Sequence, residues 1–142
     1  MRLYASALLL AGFLFTGPVN FASAQVEPTV DDRDMRVVHF EELRYPQLAR
    51  SAHVEGLVVV RVKLNDQGGV TDAIAISGAA VLVHECLTNA KKWTFQPNAQ
   101  HSAVIVYRFT LPKADCASVT SFFILEGVNL ANITACPLTV EP

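Results

Sequence analysis

Charge of one sign is scarce in this chain: eleven Lys and Arg stand against thirteen Asp and Glu, with a formal net charge of -2 and no basic run. That balance gives no electrostatic footprint for nucleic acid, so no nucleic-acid partner is expected. Catalytic signatures are missing too. There is no GxSxG, HExxH or P-loop pattern, and no CxxC or pair of histidines one helical turn apart that would suit zinc. His39, His53, His84 and His101 are scattered without a carboxylate or nucleophile at an informative spacing and read as surface residues. Asp31, Asp32 and Asp34 read as solvated charge. The chain is therefore expected not to be an enzyme, and to need no metal, cofactor or small-molecule substrate.

Long apolar runs are confined to the start. Met1-Arg2 supplies a positive end, residues 3–15 are mostly apolar, and Ala22-Ser23-Ala24 is a small-residue cleavage signal before Gln25. Pro18 and Asn20 interrupt the run before the roughly 20 residues that a membrane span needs. Residues 1–24 thus read as a signal peptide, and the rest as a periplasmic or secreted protein with material for one modest core. Export means oxidising surroundings. Cysteine is sparse, with only Cys86, Cys116 and Cys136, which allows at most one internal disulfide and leaves one thiol. A Cys116–Cys136 bond is favoured; it would close a loop of about 20 residues, for roughly 3 kcal/mol. Cys86 is then expected in the interior as a small hydrophobe.

What is present is a clear succession of structural signals. Residues 25–44 are an acidic lead-in, with Val37-Val38-His39-Phe40 as a short strand. Tyr45-Pro46 opens a helix running to about His53, since proline suits a first helical turn; Leu48 and Ala52 are expected on its inner face. After Gly56, residues 57–64 read LVVVRVKL, with Val58, Val60, Val62 and Leu64 on one face of a half-buried strand. The turn-forming Asn65-Asp66-Gln67-Gly68-Gly69 leads into a second arm over residues 70–77. A helix over residues 80–92 follows, with Leu82, Cys86, Ala90 and Trp93 as its apolar stripe and His84, Glu85, Asn89 and Lys91 outside. Residues 103–111, AVIVYRFTL, alternate as a third strand.

That strand is expected beside the first, in the order 2-1-3, with its outer edge exposed. An exposed edge offers unpaired N–H and C=O groups to an extended peptide. The tail, residues 112–142, reads as a hairpin closed by the disulfide, with arms over residues 119–125 and 128–134 about a turn at Glu126-Gly127.

Taken together, Tyr45-Pro46 with Ala49, Glu55-Gly56 before the valine strand, Gly69-Val70 after the turn, and Lys92-Trp93 with Phe95 and Pro97 form an ordered set. Over residues 45–111 this set resembles the C-terminal domain of TonB-type energy transducers. The resemblance implies an α+β periplasmic domain, a three-stranded antiparallel sheet packed against two helices, here with a C-terminal extension. In that family the domain grips the TonB box of an outer-membrane receptor as an added strand during energy transduction for transmembrane transport. Carried over, the partner-binding strand is Ala103, Val104, Ile105, Val106, Tyr107, Arg108, Phe109, Thr110 and Leu111, with residues 45–50 and 96–101 as neighbours. The partner would be a TonB-dependent receptor or another envelope protein. Transducers of the family also carry a histidine in a membrane anchor and a long proline-rich spacer, whereas residues 1–24 hold no histidine and residues 25–44 are short. A second expectation therefore stands beside the first. In it the chain is a soluble structural or envelope-assembly protein whose own tail, through a strand such as residues 119–125, covers the edge.

Overall fold

Alternation in the valine strand organises everything else. In the computed structural model, β2 (Gly56–Leu64) turns Val58, Val60, Val62 and Leu64 inward, as the period of two requires, and all four are buried. The structure describes residues 35–113, 116 and 121–138; the expected signal peptide, Asp31, Asp32, Asp34 and the first residues expected in the tail hairpin lie outside them. β2 pairs antiparallel with β3 (Val70–Ser77) across the turn and with β5 (Ser102–Thr110) on its other side. The turn is set by Asn65, whose side-chain oxygen accepts from the N–H groups of Gln67 and Gly69 at 3.0 and 2.9 Å.

Two helices cover one face. Most of the stripe on α2 (Ala80–Ala90) is as expected, with Leu82, Cys86 and Ala90 fully buried and Trp93 just beyond the helix. Asn89 differs from its expected place outside. It is 4 % exposed, and its amide is a hub: its oxygen accepts from Trp93 Nε1 at 2.9 Å and from the Tyr107 hydroxyl at 2.8 Å, while its nitrogen donates to the Glu41 carbonyl at 2.9 Å. A polar side chain can sit in a core on those terms, because each of its groups is matched. The short helix α1 (Gln47–Ser51) also differs. It buries Ala49 and leaves Leu48 70 % exposed, so Leu48 does not face inward.

Two short strands pin the lead-in: β1 (Val37–His39) pairs antiparallel with β4 (Thr94–Phe95). Phe40 continues from there, lying between Trp93 and Phe123 at centroid distances of 5.9 and 5.6 Å.

The main sheet is not three-stranded. The tail adds β6 (Phe122–Glu126) and β7 (Leu130–Thr134), giving five strands in the order β3-β2-β5-β7-β6. β6 and β7 form the expected antiparallel hairpin, but it is the second arm, β7, that lies against β5, and it does so parallel. Side-chain size accounts for the choice. Ala131 faces Tyr107 and Ile133 faces Phe109 in register, so small and medium side chains meet large aromatic ones, and all four are buried. The first arm could offer only Phe123 and Leu125 at those places.

Gly68 has φ +82°, and a Cβ there would lie 1.7 Å from the Phe95 carbonyl oxygen, a backbone atom of β4 that cannot swing aside as a flexible side chain could. Gly127, in the β6–β7 turn, has φ +60° with open space around it. Gly68→Ala should therefore cost about 3 kcal/mol or more and Gly127→Ala about 1 kcal/mol, measured as separate urea denaturation curves. Equal costs would mean that the β4 contact does not constrain the turn.

Candidate functional site

β5 carries the residues singled out by sequence. Ala103, Ile105, Tyr107, Phe109 and Leu111 point into the core under the helices. Val104 and Val106 are half-buried on the opposite face, and Arg108 and Thr110 are exposed there. β5 lies inside the sheet. Its odd-numbered residues turn their backbone groups towards β2, and its even-numbered residues turn theirs towards the hairpin.

The hairpin side is filled over most of its length. The Val106 N–H donates to the Asn129 carbonyl at 2.9 Å, and the Asn129 amide nitrogen donates to the Val104 carbonyl at 3.1 Å. At the other end the Ala135 N–H donates to the Thr110 carbonyl at 3.2 Å. Side chains repeat the pairing on the open face: Arg108 Nη1 donates to Asn132 Oδ1 at 3.4 Å, and the hydroxyls of Thr110 and Thr134 lie 3.0 Å apart. Asn129 was not foreseen. Its role depends on how the hairpin docks against β5, which no local pattern gives.

The expected neighbours also meet the tail. The Tyr45 N–H donates to Ser121 Oγ at 3.1 Å, and the Arg50 guanidinium holds the Cys136 carbonyl with two donors at 3.0 and 2.8 Å. Such a two-pronged, charge-assisted contact is among the stronger kinds of hydrogen bond. The loop at 96–101 caps the start of β5, where Asn98 donates to the Ser102 carbonyl at 2.8 Å and accepts from the Ser102 N–H at 3.2 Å. Beyond the end of β5, the Leu111 N–H donates to Glu55. Cys116 Sγ donates to the Pro112 carbonyl at 3.1 Å.

Titratable groups under the sheet are held neutral. Burial, reinforced by the nearby Glu85 charge, pushes the Cys86 thiol up to about 12. Burial, then the Glu55 carboxylate, pushes Tyr45 up to about 12, with Arg50 opposing. Tyr107 is raised as well, by burial and then by Cys86. Nothing in this group is poised to react near neutral pH. Among the described residues no three of His, Cys, Asp and Glu converge as metal ligands, and no helix is long and apolar enough to cross a membrane.

Comparison with known proteins places this geometry. The family described as the C-terminal of the Gram-negative bacterial TonB protein matches residues 41–112, which span both helices and β2 to β5. Protein TonB of Vibrio cholerae is 27 % identical over 88 residues, covering 61 % of this chain and 36 % of that protein. This chain therefore corresponds to little more than a third of that relative's length. The solution NMR structure of the Pseudomonas aeruginosa TonB CTD is similar at a TM-score of 0.47 and 20 % identity, covering 61 % of this chain and 95 % of that one.

Cys86, Tyr45 and Tyr107 share one consequence. Each holds its proton in the folded chain beyond the pH at which an unfolded chain releases it, so their contribution to stability is whole below about pH 9 and is lost as pH rises towards 12. Denaturation midpoints should be flat to pH 9 and fall steadily above it. With the Cys86 thiol buried and held protonated at pH 8, iodoacetamide should spare it in the folded chain and modify it on unfolding. Rapid alkylation of Cys86 under native conditions would contradict its burial.

Proposed function

The chain belongs to the family of Gram-negative TonB C-terminal domains, and from that premise we propose that it is a periplasmic protein-binding module that takes an extended segment of an outer-membrane receptor as an added strand. The receiving strand is β5, residues 103–111 in the wider sense used above. The observation that carries this reading is that β5 already accepts a strand along that side, with Ala131 and Ile133 buried opposite Tyr107 and Phe109. A receptor segment would use the same hydrogen-bonding groups and set its own side chains opposite Tyr107 and Phe109. Residues 1–24 direct the export that this reading needs, and a Cys116–Cys136 bond closes the hairpin once it reaches oxidising surroundings.

The occupied edge supports a second reading, in which the fold is kept for envelope structure or assembly and the edge stays closed. Magnitudes separate the two. Uncovering Ile133 and the methyl groups of Ala131 and Ala135 costs roughly 3–5 kcal/mol, before the Arg50 contact is counted. A peptide that must first displace β7 therefore binds about a hundredfold or more below its intrinsic affinity.

Titration with a TonB-box peptide should shift the amides of residues 103–111 at millimolar concentration while β7 loses its protection from exchange. Ile133→Ala, which loosens the hairpin, should raise the apparent affinity at least tenfold. No binding at millimolar peptide to either form would sink the receptor reading and leave the structural one. Peptide mapping without reductant checks the disulfide, which should appear as one linked pair that omits Cys86.

A further inference from the structure

The five-stranded sheet ends in two edges that are very different in character. The β3 edge also exposes Ile74 and Ile76, but its register is broken beside Val60 and Leu64 and it carries Asp72, devices that discourage pairing with another chain. The β6 edge has neither proline nor lysine nor a bulge, and among the described residues no strand pairs with its outer side. It is also where apolar surface collects. Among the described residues, five of the nine exposed large apolar side chains, Val38, Phe40, Phe122, Ile124 and Val128, lie on this hairpin or beside it. Scattered exposed residues need no explanation, but a cluster along an unpaired edge does.

Beside that edge, on the helix side, runs a bank formed by the chain leading into α1. A hollow of about 410 Å³ lies between Val38 and Phe40 on the bank and Leu125 and Val128 on the hairpin. A second, of about 540 Å³, lies at the other end, between Arg44 and Phe123. The stacked rings of Phe40 and Phe123 separate the two, 5.6 Å apart. Cations mark both ends: Arg36 lines the first hollow, and Arg44 lines the second beside the Glu42 carboxylate, where Arg50 adds its charge while two of its donors stay on the Cys136 carbonyl. Glu126, the last residue of β6, alternates to the open face with Phe122 and Ile124.

We propose that the outer edge of β6 and its bank form a second strand-addition site, separate from β5, for an extended peptide with an apolar core of about five residues and carboxylates flanking it. The edge supplies main-chain hydrogen bonds, the hollows take alternate side chains, and the arginines select the flanking charge. The bank decides for a lone peptide over a second copy of this chain, because a second copy would bring its own bank against the first. This site needs no displacement of β7, so it stands whether or not a receptor reaches β5.

The test uses a capped nine-residue peptide of alternating valine and threonine with aspartate at both ends, and a control with lysine at both ends. Binding to the purified chain should protect the amides of Phe123 and Leu125, which turn away from β7, and leave the β6–β7 and β5–β7 amides as they were. The lysine peptide should bind at least tenfold more weakly. Ile124→Lys, an exposed position on the edge, should abolish binding, whereas Leu48→Lys on α1 should not change it. Absence of binding at millimolar peptide overturns the proposal. So does protection confined to β5, which would return the peptide to the receptor-binding strand. A dimer dissolved by Ile124→Lys would overturn it too, by giving the edge to a second copy.

Discussion

Along β5, the side chains of Ala103, Ile105, Tyr107 and Phe109 are essentially inaccessible to solvent, so the backbone between them must be paired on both sides or left unpaired against the core. β2 meets that demand on one side with an eight-residue register from Gly56 to Lys63. The other side is where the family's architecture and this chain's tail come together. β7 supplies a parallel ladder, and Asn129 and Ala135 extend the pairing beyond its two ends. Arg50 in the last turn of α1 and Tyr45 just before that helix then hold Cys136 and Ser121 on either side of the hairpin, so the covering strand is anchored to a segment some eighty residues earlier.

This arrangement changes what a partner meets. A receptor segment that adds to β5, as proposed, must compete with a strand joined to the same chain, and a tethered competitor acts at a high effective concentration. Covering one edge with a hairpin also creates another, and the new edge at β6 carries apolar residues on both of its sides. The buried hub at Asn89 holds the floor under both edges, because it joins α2 to Tyr107 on β5, to Trp93, and to the lead-in at Glu41. Through Trp93 and Phe40 that floor continues to Phe123 on β6.

Much of this was legible in the residues. The inward row on β2 and the stripe Leu82, Cys86, Ala90 and Trp93 follow from periodicity that burial enforces directly, and the turn from Asn65 to Gly69 follows from its residue types. Leu48 and Ala49 show where that logic loses its grip: in a helix of five residues two apolar positions do not define a face, and the smaller one fits the tighter contact. Asn89 was put outside because amides usually are, and only three partners from distant segments bring it in. The strand count was short because a parallel partner for β5 must arrive by a long crossover, which no local pattern announces. The tail was read as a hairpin, yet which arm would lie inside depended on matching Ala131 and Ile133 to Tyr107 and Phe109 across the sheet.

The family membership and the fold make this a TonB-like domain in which the strand proposed for receptor contact is enclosed by its own tail. Native-state hydrogen exchange of β5, without any partner, tests that enclosure most directly. The amides of Val106, Arg108 and Thr110, which turn towards β7, should exchange as slowly as those of Ile105, Tyr107 and Phe109, which turn towards β2. If the first set exchanged as fast as loop amides while the second stayed protected, the edge would be open and the account of the hairpin would be wrong.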